Sequence, residues 1–216
     1  MHSTTLLLIL SWLFYFFIHS LLASISVKDF VASKYPKAMP YYRLTFNILA
    51  VLFLALPLWA MQNWSGDWLW QWVGYWSWFA HTIALLAIVC FIWSLKYYDM
   101  SEFFGFRQLS NQVTSVDDQE QFHLSPFHRW VRHPWYFFAL LFIWARDMNE
   151  AMLVSAIMMT LYFVIGSRYE DRKLIRYHGE RYRRYIELVP GLIPLPWRYL
   201  SQAQMDELLS DDRNDR

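Results

Sequence analysis

Residues 5–25 read TLLLILSWLFYFFIHSLLASI, a stretch without Asp, Glu, Lys or Arg. A hydrocarbon core about 30 Å thick is crossed by about 20 such residues in helical form. No positively charged region precedes the stretch and no clear small-residue cleavage site follows it, so it reads as a permanent helix rather than a signal peptide. Residues 44–61 and 72–95 are equally free of charge and read as two more membrane helices. Residues 134–145 and 151–167 are shorter apolar runs on either side of RDMNE (146–150). They read as a tight hairpin of two further helices. The expected fold is all-α and multi-pass, with about five transmembrane helices.

Composition agrees. Of 216 residues, 56% are hydrophobic and 20% aromatic, with 13 Trp, which is more aromatic than an ordinary soluble domain. The net charge of +1 gives no basic field for nucleic acid. The distribution of charge says more. Lys28, Lys34, Lys37 and Arg43 flank the first connection, the second carries only Asp67, and the third carries Lys96, Arg107, Arg129 and Arg132. Arg168, Arg172, Lys173 and Arg176 follow the last helix. By the positive-inside rule the N-terminus lies outside and the C-terminal region in the cytoplasm. The single cysteine, Cys90, falls inside an apolar helix and excludes an intrachain disulfide framework.

Residues 1–200 read as one membrane domain. Residues 201–216, ending MDELLSDDRNDR, read as a disordered acidic tail. In the third connection, YYDMSEFFGFRQL (97–109) is aromatic and amphipathic and is expected at the membrane interface, whereas SNQVTSVDDQEQ (110–121) reads as a mobile loop. From about Gly166 to Leu188 the last membrane helix continues as an amphipathic cytoplasmic helix. Leu174, His178, Tyr182, Tyr185 and Val189 make one face, Glu180 and Arg184 form an i,i+4 pair, and Pro190, Pro194 and Pro196 end the helix.

Polar residues capable of chemistry gather just outside the apolar segments: Arg132, His133, Tyr136, Arg168, Glu170, Asp171, Tyr182 and Tyr185. A short hairpin sets Arg132-His133 near Glu170-Asp171. Such a cluster suits a zwitterionic ligand, with Arg on its carboxylate, Glu on its ammonium and aromatic rings around a cationic centre. Arg, His and Tyr at helix ends also serve as plain membrane anchors, and an Arg–Glu pair can be purely structural. The six glycines are scattered, which excludes a glycine-rich phosphate loop, and no Ser stands in GxSxG. His123, His128 and His133 are spaced five apart with Pro126 between them, which argues against a metal site on one helical face. His19 and His81 lie within apolar helices and read as neutral groups bonded to a neighbouring helix.

RHPWY (132–136) followed by EDRKLIRYHGERYRRYIELVPGLIP (170–194) resembles the integral-membrane methyltransferases related to isoprenylcysteine carboxyl methyltransferase. That pattern has Arg-His-Pro-x-Tyr, then Glu-Glu-x-x-Leu, a Gly, Tyr-x-x-Tyr and a proline motif. Here these are Arg132, His133, Pro134, Tyr136, Glu170, Asp171, Leu174, Gly179, Tyr182, Tyr185, Pro190 and Pro194. IHSLLAS (18–24), YYRLTFNILAV (41–51) and FFGFRQL (103–109) resemble the branch of methanethiol S-methyltransferases and NnrU-type proteins. Two positions depart from the pattern. Phe138 stands where a Gly is common, a bulky ring expected to narrow the passage, and Asp171 replaces a second Glu.

The resemblance implies S-adenosylmethionine as cofactor and a small or lipophilic thiol-type, or carboxyl, acceptor reaching it from the bilayer. It implies cofactor contacts from Arg132, His133, Tyr136, Glu170, Tyr182 and Tyr185. It gives His133 a role in removing the thiol proton and Arg168 one in stabilising an acceptor anion, and it points to a bacterial inner membrane. Two other readings stay open. One is an NADPH-dependent sterol-reductase-like enzyme, against which Trp135 and Phe138-Ala139 count; the other is a non-enzymatic NnrU-like membrane protein. The identity of the acceptor and the oligomeric state are not legible.

Overall fold

The computed structural model describes residues 2–114, 116 and 124–214, with side chains described for 3–114, 116 and 124–208. His123 and most of the expected mobile loop lie outside the described residues. In chain order the elements are α1 (His2–Ala23), α2 (Ile25–Lys34), α3 (Met39–Asn63), β1 (Trp68–Trp70), α4 (Tyr75–Ser94), α5 (Met100–Phe104), α6 (Phe106–Ser110), α7 (Pro134–Trp144), β2 (Met148–Asn149), α8 (Glu150–Leu188) and α9 (Gln202–Asn214). The chain is an all-α multi-pass membrane protein. Among the described residues four stretches are long and apolar enough to cross a bilayer: Ser3–Ala23, Pro36–Asn63, Tyr75–Tyr97 and Glu150–Leu188.

The expected fifth span is the exception. α7 has 11 residues and rises only about 16 Å, roughly half a hydrocarbon core. Pro134 fixes its first turn, and the RDMNE segment leaves helix for strand at Met148–Asn149, so neither end can lengthen.

The chain forms two compact units. The first comprises Met1–Gln71, Tyr98–Gln121 and Asp147–Met159. Here α1 lies on α3 through an edge-on Phe14–Phe53 pair, and the Tyr42 hydroxyl donates to the Leu22 carbonyl at 2.6 Å. Buried Trp12 donates its indole N–H to Ser155 Oγ at 2.9 Å, tying α1 to the start of α8. β1 and β2 form a two-stranded antiparallel ribbon. The amides of Glu150 and Ala151, which have no partner within their own helix, donate to the carbonyls of Asp67 and Ser65. The aromatic segment after residue 97 folds as the two short helices α5 and α6. Asp99 caps α5, and Gly105 turns the chain at φ 91° against the backbone of Leu44.

The second unit comprises Trp72–Tyr97, Phe122–Arg146 and Thr160–Arg216. α4 and α7 pack through a face of small buried residues (Ala80, Ala84, Ala87, Ser94), and Trp135 donates to Ser94 Oγ at 2.8 Å. Beside α7 lies an apolar cavity of about 470 Å³, whose lining includes Phe79, Ile83, Phe137, Leu141, Trp144 and Ile193. α8 runs 39 residues, as the expected continuation past Gly166 requires, with one break at Gly179 (φ 55°, ψ −135°). This is a conformation that glycine reaches without steric cost.

Two sequence expectations are corrected in this unit. Residues 202–214 are helical rather than disordered. Met205 and Leu208 recur at i,i+3 and are buried, Leu208 in a core with Tyr182, Tyr185, Val189 and Leu200. That helix also changes the surface pairing. Glu207 receives Arg184 at 2.8 Å, and Glu180 pairs instead with Arg183 at 3.3 Å.

Candidate functional site

The segment before α7 is held from both sides. The amides of Arg132 and His133 donate to the carbonyls of Pro190 and Gly191, and Leu200 N–H donates to the Arg129 carbonyl. Arg129 Nε returns to the Leu200 carbonyl at 2.9 Å. The prolines that end α8 thus also dock it against the start of α7. This brings Arg132 and His133 to Glu170 and Asp171, as the hairpin reading expects.

Asp171 is the hub. Arg132 grips it with Nε to Oδ1 at 3.2 Å and Nη2 to Oδ2 at 2.6 Å. His133 Nε2 lies 3.0 Å from Oδ1, and the Tyr182 hydroxyl donates to the same oxygen at 2.8 Å. Arg132 Nη1 donates to the carbonyls of Ile186 and Val189. Arg198 adds bonds to the carbonyls of Ile186 and Glu187. Two cations therefore satisfy the carbonyls that the end of α8 leaves without helical partners.

The other ring nitrogen of His133 faces Glu170, with Nδ1 3.3 Å from Oε2. A ring with a carboxylate at each nitrogen bonds both only as imidazolium, since each contact needs an N–H. Burial works against that charge, but the bonds to Asp171 and Glu170 outweigh it and raise the pKa to about 9. Asp171 also loses solvent, which favours its neutral form. His133 and Arg132 nonetheless hold its carboxyl well below the usual range.

Exposure separates the two carboxylates. The Asp171 side chain is 13% exposed and that of Glu170 42%. Next to Glu170, the Tyr136 ring stacks on His133 with centroids 5.5 Å apart and on Phe163 at 4.8 Å. An accessible carboxylate beside flat aromatic rings is a place for a cation.

The expected site residues sort accordingly. Arg132, His133, Tyr136, Glu170 and Tyr182 come together. Tyr185 does not join them. It is buried in the core and its hydroxyl donates to the His128 carbonyl at 2.7 Å. Arg168 is exposed. At 100° per residue it points about 160° away from Glu170 around α8. His128 is occupied locally, its Nδ1 accepting from the Ser125 amide at 2.9 Å. Among the described residues no group of His, Cys, Asp and Glu could hold a metal ion. His81 bonds the Ser77 carbonyl of its own helix rather than a neighbour. Phe138, the departure from the family pattern, is buried edge-on against Phe127 at 4.8 Å. Sequence reasoning missed Phe163, and it underrated Asp171, whose signal was its place beside Glu170 at the second Glu of the motif.

Fold and site define a multi-pass helical membrane protein with a cation–carboxylate hub where the start of α7 meets the basic half of α8. Known proteins narrow this. The chain is 29% identical over 186 residues to a methanethiol S-methyltransferase of Crocosphaera subtropica, across 82% of this chain and 69% of that protein. It is 29% identical over 179 residues to methanethiol S-methyltransferase 2 of Bradyrhizobium diazoefficiens, across 82% and 68%. A methanethiol S-methyltransferase of Mycobacterium tuberculosis is 35% identical over 104 residues, 45% of this chain and 41% of that protein. No family model and no solved structure matches. The matches relate the chain to the methanethiol S-methyltransferases, the branch that its motifs resemble.

Proposed function

We propose that the protein is a membrane methyltransferase that uses S-adenosylmethionine and methylates a thiol-type acceptor. The observation that carries this reading is the half-exposed Glu170 carboxylate beside the His133–Tyr136–Phe163 stack. The names of the relatives supply the reaction class. The residues fit the cationic parts of such a donor: Glu170 for an ammonium, with the aromatic stack beside it for a sulfonium. Bound there, the donor would supply an electrophilic methyl group.

The roles of the other residues shift from the sequence expectation. Arg132 spends Nε and Nη2 on Asp171 and Nη1 on two carbonyls, so it positions the hub rather than clamping a ligand carboxylate. Tyr182 and Tyr185 likewise support from behind. His133 holds both ring protons against carboxylates and has no lone pair with which to take a proton from a thiol. Its work is to fix Glu170 and the Tyr136 ring. The chain's contribution is then placement of two reactants and exclusion of water. The apolar cavity beside α7, which Ile193 helps line, supports an acceptor arriving from the lipid phase. The alternation of Lys and Arg supports a site on the cytoplasmic side of a bacterial inner membrane, with the N-terminus outside, a topology of five crossings in which α7 together with the segment that follows it to β2 makes the fourth.

The test is incubation of membranes holding the protein with methyl-labelled S-adenosylmethionine and a series of small thiols and thiol-bearing lipids. Labelled product from at least one thiol is expected, with donor binding lost in Glu170→Ala while the helix content stays native. Absence of donor binding, together with absence of product from any acceptor, would leave the non-enzymatic reading in its place. Binding of NADPH instead of the donor would favour the reductase.

A further inference from the structure

Beyond this site, α8 carries a second ordered pattern that the methyltransferase reading does not use. Leu161, Ile165, Arg168, Tyr169, Arg172 and Arg176 are all exposed. At 100° per residue they fall within one strip about 80–100° wide, on the side away from Glu170. The strip is apolar at Leu161 and Ile165, which are 53% and 52% exposed, and then turns to Tyr169, 65% exposed, and three arginines. The arginines repeat at i, i+4 and i+8, so each is a helical neighbour of the next. Like charges at this spacing repel. None of the three pairs with a carboxylate among the described residues, and Arg172 lies over the Tyr169 ring at 5.6 Å. Asp171 is bound to Arg132, and Glu180 to Arg183. The strip therefore has a hydrocarbon half, an aromatic ring at the change and an uncompensated cationic half about 12 Å long.

We infer that this strip of α8 is a binding site for an anionic phospholipid of the bilayer. The acyl chain lies along Leu161 and Ile165, Tyr169 stands at the headgroup level, and the phosphate sits between Arg172 and Arg176 with Arg168 above. Charge complementarity and continuity with the lipid-facing apolar surface select the occupant. A soluble anion would use the arginines but gain nothing from Leu161, Ile165 and Tyr169. Guanidinium groups bind phosphate through paired N–H donors, and an anion between them removes the repulsion along the helix.

The experiment uses the full-length protein in detergent, titrated with phosphatidylglycerol or phosphatidylcholine, bound lipid being counted by native mass spectrometry. The native chain should retain phosphatidylglycerol over phosphatidylcholine. The double variant Arg172→Gln/Arg176→Gln should bind phosphatidylglycerol about 30-fold more weakly, which is about 2 kcal/mol at about 1 kcal/mol for each basic residue near the surface. Phosphatidylcholine binding should not change. Arg172→Lys/Arg176→Lys, which keeps the charge, should hold most of the preference and controls for folding. An unchanged preference in the Gln variant overturns the inference. So does displacement of the lipid by inorganic phosphate at equal concentration, which would make this a soluble-anion site. The readout needs neither donor nor acceptor, so its outcome is independent of the proposed reaction.

Discussion

Asp171→Asn keeps the volume of the hub residue and removes one charge from beneath two cations. In the native chain Asp171 accepts from Nε and Nη2 of Arg132, from His133 at 3.0 Å and from Tyr182 at 2.8 Å. The Arg132 and Asp171 side chains are 10% and 13% exposed, so water screens the pair little. Removing one partner of a buried pair costs about 3–5 kcal/mol, because the surviving charge stays behind without its counterion. Asn can still accept one bond from Tyr182 or Arg132, and His133 can shed a proton, which puts the expected loss near the lower end, about 3 kcal/mol. Glu170→Gln supplies the contrast. Its side chain is 42% exposed, and solvent screening limits the loss to about 1 kcal/mol. Equilibrium unfolding in mixed micelles, followed by far-UV circular dichroism as sodium dodecyl sulfate is raised, measures both. A cycle with Arg132→Gln should return a coupling of about 1–3 kcal/mol between residues 132 and 171. A loss under about 1 kcal/mol for Asp171→Asn, or a larger loss for Glu170→Gln, would refute the assignment of Asp171 as the hub.

The same assay run across pH should show stability falling on the alkaline side. His133 binds its proton more tightly when folded, about 9 against 6.5, so its contribution is complete below about pH 6.5 and lost as pH rises through 9, amounting to about 3 kcal/mol. Asp171 works in the opposite sense: its folded pKa is depressed, so its share is present above about pH 4 and lost on acidification. His133→Gln should flatten the alkaline slope, and an unaltered slope would refute the imidazolium. Gly105→Ala should destabilise by about 2 kcal/mol or more, since φ is 91° and a Cβ would meet the Leu44 amide nitrogen at 2.7 Å. A neutral result in the unfolding assay would mean that α5 and α6 turn differently. Leu208→Ala removes a side chain only 2% exposed and should cost about 2–4 kcal/mol. Limited proteolysis should then cut between residues 200 and 208, and resistance equal to the native chain would contradict the packing of α9.

The membrane helices were legible because charge-free runs of sufficient length have few other solutions. The length of α7 was not. The apolar run shows where a helix is permitted, but Pro134 and the pairing of Met148 with Trp70 decide where it stops. α9 escaped because the charges of SDDRNDR mask the Met205–Leu208 spacing, which gains meaning only beside Tyr182 and Tyr185. In the site, RHPWY and the carboxylates after residue 169 were readable as partners. Which carboxylate meets which cation was not: adjacent residues of a helix point about 100° apart, and tertiary packing chooses between them. Tyr185 was readable as part of a buried face, but its partner is a backbone carbonyl, which leaves no mark in sequence.

The burial of α9 bears on how the protein should be handled. An acidic, polar C-terminus invites trimming to improve crystals, or fusion to a tag. Cutting after Leu200 would strip Leu208 from the core that encloses Tyr182 and Tyr185. Those rings carry the hydroxyls that hold Asp171 and the His128 carbonyl. A shortened protein could keep every membrane helix and every site residue and still lose the geometry at Glu170. Inactivity of such a truncation would then report on packing rather than chemistry.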